Sequence, residues 1–172
     1  MAHVTLVLGG QRSGKSAYAE ILIGDGEAVY IATCEALDDE MADRVAKHRA
    51  RRGDNWTAVE EYVNTVSALK ANDGPDRPQL IYSLGMWIAN LLGADCDVEV
   101  EVKILAQTLE RLTSPVVIVS DETGLGVIPD NALARRFVDA LGAANQSIAA
   151  IADRVGLVPA GIPVGIKGNS QS

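Results

Sequence analysis

The chain predicts an α/β fold, a mostly parallel central sheet flanked by helices. Three observations carry that expectation. Strand-like and helix-like segments alternate along all 172 residues, the pattern of parallel strands joined by helical crossovers. Val116-Val117-Ile118-Val119-Ser120 is a short continuous apolar run of the kind that fills the centre of such a sheet. Gly9-Gly10-Gln11-Arg12-Ser13-Gly14-Lys15-Ser16 fits the pattern G-x-x-x-x-G-K-[ST], and it sits between an apolar run and a helix-like one.

Taken in order, Val4 to Leu8 reads as a buried strand and Ala17 to Ile23 as a helix. Between them, glycines let the backbone wrap a phosphate while N–H groups converge at the positive end of a helix. Lys15 is placed to reach outer phosphates and Ser16 to offer its hydroxyl to magnesium. The expected architecture is therefore a P-loop nucleotide-binding fold. Val29 to Ala32 reads as the second strand. Asp38 then resembles an N-cap, with Asp39 and Glu40 in a first turn that favours acids, and Gly53 stops a helix reaching about Arg52.

Trp56 to Glu60 reads as a short extended piece and Val63 to Ala71 as helical. The turn-rich stretch Asn72 to Pro78 is too short for a domain linker. Gln79 to Ser83 predicts a strand, followed by a helix through Leu92. Val98 to Leu112 is read as helical, although the Val-Glu alternation at its start also suits a strand. A long helix is expected over Asn131 to Val155, capped by Asp130 or Asn131, with Leu157 to Ala160 as a last strand.

Composition narrows the function. A net charge of −8 argues against nonspecific nucleic-acid binding. No apolar run is long enough to span a bilayer and no signal peptide opens the chain, so a cytoplasmic protein with no membrane span is expected. Cys34 and Cys96 match neither metal-ligand spacing nor a disulfide framework and read as free thiols. His3, at the start of the first strand, reads as structural, and the residue types do not favour a zinc site.

Against the acidic background, Arg44, Lys47, His48, Arg49, Arg51 and Arg52 form a basic cluster opposed only by Asp43. Arg44, His48 and Arg52 share one helical face. Neighbouring cations disfavour a protonated imidazole, which leaves a ring nitrogen able to attack phosphorus. A solvated helix face explains the same residues. The loop Ser120 to Pro129 follows the central strand, at the sheet edge where α/β folds bind ligands. There Asp121 or Glu122 could hold magnesium directly or through water, or simply face solvent on a glycine-rich turn.

Taken together, these motifs resemble the bifunctional adenosylcobinamide kinase/adenosylcobinamide-phosphate guanylyltransferase family over nearly the whole chain. The carriers are Gly9 to Ser16, Tyr30 to Thr33, Asp38 to Met41 and Arg44 to His48. They continue through Trp56, Trp87, Asn90 to Leu92, Glu122 with Gly124 to Gly126, Pro129 to Phe137, and Asn145-Gln146. The resemblance implies phosphorylation of adenosylcobinamide by ATP or GTP, then transfer of GMP from GTP to the resulting phosphate through a guanylylated histidine. His48 stands at the matching position.

On that reading His48 and Lys15 are catalytic. The nucleotide is held by Gly9, Gly10, Gln11, Arg12, Ser13, Gly14, Lys15, Ser16, Lys47 and Arg49. Ser16, with Asp121 or Glu122, faces a magnesium or similar divalent ion. Residues 1–168 then form a single P-loop nucleotide-binding transferase domain, 169–172 a frayed tail, and the protein a homotrimer.

The chain departs from the family where an acidic residue and a cysteine usually end the strand before the Trp87 helix; here they are Tyr82 and Ser83, and a common threonine is Gly85. The family's Asn-Glu-Val-Gly is Asp121-Glu122-Thr123-Gly124. A carboxylate at Asp121 offers to replace the missing charge, although positions 82 and 121 fall on different strands. Two further readings stay open: a guanylyltransferase with an impaired kinase step, and a nucleotide-binding regulatory switch.

Overall fold

The computed structural model describes residues 4–34 and 55–168. The helix expected over Asp38 to Arg52 lies outside them. The described elements are β1 (Val4–Gly9), α1 (Lys15–Ile23), β2 (Ala28–Ala32), β3 (Trp56–Glu60), α2 (Thr65–Ala71) and β4 (Gln79–Tyr82). They continue with α3 (Leu84–Gly93), α4 (Val98–Leu109), β5 (Val116–Asp121), α5 (Ala132–Ile151), β6 (Arg154–Leu157) and β7 (Val164–Lys167). The strands form one sheet in the order β3-β2-β4-β5-β1-β6-β7. All pair in parallel except β7, which runs antiparallel to β6.

Burial explains the sequence patterns. β1 is buried at every position and β5 at all but its last, because helices cover both faces of the sheet centre. The two faces have separate cores. Leu6, Leu8, Ile31, Ile81 and Ile118 pack with Trp87, Leu105, Leu141 and Ile148 from α3, α4 and α5. Val7, Leu80, Val117 and Val119 point the other way, toward Ala19 of α1. Edge strands β3 and β7 are largely exposed.

Caps fix the helix starts where small polar residues stand. Asp97 accepts from Val100 N, Ser83 from Met86 N, and Asn131 from Ala134 N. The Val-Glu alternation at 98–102 is thus the first turn of α4, with Glu99 and Glu101 favourably placed at the positive end of the helix.

The carboxyl end of the chain differs from expectation. α5 stops at Ile151, short of Val155, and Ala152 is extended. The competing interaction is Asp153: its N–H donates to Val4 O at 2.9 Å and its Oδ2 accepts from Val4 N at 2.8 Å. These bonds draw Arg154 into register with Thr5 and start β6 earlier than its apolar residues suggest. β7 has no counterpart in the sequence reading. Lys167 at its end donates to Ala149 O and Ala150 O at 2.9 and 2.8 Å, satisfying carbonyls at the end of α5.

Candidate active site

The phosphate-loop motif folds as its residue types require. Arg12 and Gly14 have positive φ, 56° and 95°. A Cβ on Gly14 would lie 3.0 Å from Gly161 Cα, so glycine is demanded there by both conformation and space. Gly161 N donates to Ser13 O at 2.6 Å, bracing the loop from the β6–β7 connection. Gly14 brings no side chain to cap α1, so the helix presents uncapped backbone amides beside the loop. Ser13 Oγ is buried with no partner among the described residues.

Lys15 is almost fully buried, 7% exposed. Its ammonium donates to Gly10 O at 3.0 Å and lies 2.7 Å from Asp121 Oδ1. A buried charge without such partners would be strongly unfavourable. Asp121 ends β5, directly opposite Gly9 in the register that joins β5 to β1. Its backbone oxygen accepts from Asn145 Nδ2 at 3.1 Å, and Asn145 Oδ1 accepts from Ser120 Oγ at 2.6 Å. α5 therefore fixes the end of β5 beneath the loop.

Glu122 behaves differently from its neighbour. Its N–H donates to Gly9 O at 3.0 Å, while Oε1 accepts from Gly124 N at 2.8 Å. The carboxylate is turned into its own loop.

Ser16 donates its hydroxyl to Tyr82 at 3.0 Å. The Tyr82 ring stacks on Tyr30 with centroids 5.9 Å apart, and Tyr30 meets Trp56 edge-on at 6.5 Å. The Tyr82–Ser83 peptide is cis. Ser83 N donates to Thr33 Oγ1 at 2.7 Å, and Thr33 Oγ1 donates to Ser83 O at 2.8 Å. Asn90 Nδ2 donates to Thr33 O at 2.7 Å and Tyr62 O at 2.9 Å. These bonds tie the carboxyl ends of β2 and β4 together.

Positions 82 and 121 lie on different strands, but β4 and β5 are neighbours with Tyr82 opposite Val119. Asp121 is thus brought to the same edge as Tyr82. Gly85 is part of the arrangement, since a Cβ there would lie 3.1 Å from Asp121 Oδ2. Lys47, His48 and Arg49 lie outside the described residues. Thr33, from which the chain continues toward them, stands at the same sheet edge.

Among the described residues no group of three or more His, Cys, Asp or Glu side chains could hold a metal ion by itself. Ser16, next to Lys15 in the chain, and Asp121, paired with it, are nevertheless hard oxygen donors. Magnesium typically takes one or two such groups and completes its shell with water and substrate phosphates. These two residues therefore fit a nucleotide-borne magnesium.

Residues 5–166 match the family model described as cobinamide kinase / cobinamide phosphate guanyltransferase. The chain belongs to that family. Two similar relatives are each named bifunctional adenosylcobalamin biosynthesis protein. CobU of Escherichia coli K12 is 40% identical, covering 94% of this chain and 98% of its own. CobP of Pseudomonas aeruginosa PAO1 is 42% identical, covering 95% and 96%. The family recognised in the motifs is the one matched. A solved structure of the P4 protein from bacteriophage phi6 in complex with ADP shares the fold, with TM-score 0.53 and 14% identity over 95% of this chain and 54% of that one. The expected P-loop fold with its mostly parallel sheet is the fold observed.

Proposed function

We propose that this cobinamide kinase / cobinamide phosphate guanyltransferase family member phosphorylates the free hydroxyl of adenosylcobinamide with ATP or GTP. It then transfers GMP from GTP to the new phosphate, releasing pyrophosphate. The observation that carries the reading is the buried Lys15 at the mouth of an intact phosphate loop, in a chain that matches the family over residues 5–166.

Phosphoryl transfer asks a protein mainly for positioning and charge neutralisation. Lys15 supplies a cation to the outer phosphates. The loop amides from Gly9 to Ser16 cradle them, and the uncapped start of α1 adds its positive end. Ser16 and Asp121 would hold a magnesium ion, which supplies charge compensation to the phosphates when bound. Glu122 serves its own loop, so Asp121 is the better metal-facing acid of the two.

Guanylyl transfer needs a nucleophile, and His48 is the residue for it. Its ring nitrogen would attack the α-phosphorus of GTP, forming an N–P bond as the bond to pyrophosphate breaks. The phosphate of adenosylcobinamide phosphate would then take the GMP and restore the histidine. Lys47 and Arg49 would offset the charge that gathers on the phosphorus in each transition state. Residues 1–168 would act as one domain in a cytoplasmic homotrimer. No helix among the described residues is long and apolar enough to cross a membrane.

The deciding experiment is product analysis with adenosylcobinamide and either ATP or GTP. Adenosylcobinamide phosphate is expected with either donor, and adenosylcobinamide-GDP only when GTP is present. Slow nucleotide hydrolysis with no corrinoid product would overturn the assignment in favour of a nucleotide switch.

A further inference from the structure

We propose that Asp121 makes nucleotide binding at the phosphate loop conditional on a divalent cation. Without the cation the carboxylate clamps Lys15; a cation that takes up the carboxylate releases the lysine to the phosphates. The inference rests on the phosphate-loop reading above and adds to it a control element.

The geometry of the pair supports a clamp. Lys15 Nζ lies 2.7 Å from Asp121 Oδ1, and its other described bond is to Gly10 O at 3.0 Å. The two ends differ in access: the lysine side chain is 9% exposed and the aspartate side chain 32%. A hydrated cation can therefore reach the carboxylate more readily than the ammonium.

The carboxylate is also held in place. Asp121 is fixed through its backbone by Asn145 and by register with Gly9. Gly85 leaves room for Oδ2, which a Cβ would approach to 3.1 Å. Glu122 does not compete for the lysine, since its Oε1 is committed to Gly124 N.

Charge then sets the coupling. A triphosphate that takes Lys15 from Asp121 leaves a carboxylate unpaired beside its own negative oxygens. Like charges at such range are mutually unfavourable wherever water is partly excluded. A divalent cation on the carboxylate removes both obstacles, since it neutralises Asp121 and competes for the oxygen that Lys15 holds.

The test is a binding measurement, not a rate. A GTP analogue with a methylene bridge between the α- and β-phosphorus is titrated calorimetrically into the full chain, in EDTA and in magnesium. The parent is expected to bind at least about tenfold more tightly with magnesium. In Asp121→Asn, metal-free affinity should rise by at least about threefold, the size of a modest ion pair, and the magnesium effect should shrink. Gly85→Ala, which crowds the carboxylate while keeping it, should move both quantities the same way by less.

Unchanged or weaker metal-free binding in both variants, with the full magnesium effect retained, would overturn the clamp. A parent that binds the analogue in neither buffer would instead overturn the phosphate-loop reading, and the clamp with it.

Discussion

The hydroxyl of Ser16 donates to the phenol oxygen of Tyr82 across 3.0 Å. The last residue of the phosphate loop is thereby tied to the end of β4, which is not a neighbour of β1 in the sheet. Tyr82 packs at the rim of the core that faces α1. It is half-buried, stacked on Tyr30 with its oxygen turned to the loop. A phenol is a poorer magnesium ligand than a carboxylate. Tyr82 occupies instead the Ser16 hydroxyl that is proposed to meet the metal.

Tyr82→Phe should therefore help nucleotide binding. The ring and its stacking remain while the competing oxygen goes. The KM for magnesium-ATP in the kinase reaction is expected to fall about two- to fivefold, a change of roughly 0.4–1 kcal/mol, comparable to one ordinary hydrogen bond. Steady-state kinetics over a magnesium titration checks it. A higher KM would show that the phenol positions Ser16 and does not compete for it.

Asn145 is a positioning residue whose effect on the site passes through Asp121. Both ends of its buried amide are used, one on Ser120 Oγ and one on Asp121 O. Asn145→Leu removes both bonds and leaves the buried Ser120 hydroxyl without its acceptor. A stability loss of about 2–3 kcal/mol is expected, which lowers Tm by roughly 4–12 °C in a chain of this size. Below that Tm, the variant should also lose part of the magnesium dependence of nucleotide binding, because Asp121 is no longer fixed against Lys15. A purely structural residue would lower Tm and leave that dependence intact.

Asp73 gives the fold an acid-sensitive clasp far from the site. Burial opposes ionisation of its carboxyl, yet hydrogen bonds from Ser114 and Thr113 outweigh this and hold its pKa below the ordinary 3.8. Oδ1 accepts from Thr113 N, Thr113 Oγ1, Ser114 N and Ser114 Oγ at 2.8, 3.1, 2.9 and 3.0 Å. A carboxyl depressed on folding contributes stability above its unfolded pKa and loses it as pH falls through the folded one. Tm of the parent should thus fall as pH drops below about 4. Asp73→Ala should lower Tm at pH 7 and flatten that acid limb. Parallel Tm profiles for parent and variant would show that Asp73 does not contribute to the acid sensitivity.

The phosphate loop was legible in the sequence because its function lies in backbone conformation, and glycine announces that conformation directly. The central strands were legible because helices on both faces make their apolar runs continuous. The pairings of Asp121 with Lys15 and of Tyr82 with Ser16 were not. Each depends on strand order, which places β5 between β4 and β1 although these are far apart in the chain. Residue identity alone left Asp121 and Glu122 equivalent; the hydrogen bond from Gly124 N separates them. The end of α5 is not legible either: the helical pattern runs on past Ile151, while the bonds between Asp153 and Val4 that compete with it are long-range.

The sharpest chemical division is expected between Lys15 and His48. On the proposed mechanism Lys15 would serve any triphosphate in the loop, so Lys15→Ala should reduce both reactions. A loss of about 100-fold or more in kcat/KM corresponds to ~2.7 kcal/mol of transition-state stabilisation. On the proposed mechanism, His48 would be needed only where a covalent bond to phosphorus forms. His48→Asn should therefore abolish the acid-labile, alkali-stable protein adduct from GTP labelled at the α-phosphate, and with it adenosylcobinamide-GDP. Phosphorylation of adenosylcobinamide should stay within about threefold of the parent, a shift of ~0.65 kcal/mol. Peptide mapping that places the label on Lys47 would remove His48 from the mechanism. Equal loss of both products in His48→Asn would mean that the histidine helps bind the shared nucleotide and is not confined to guanylyl transfer.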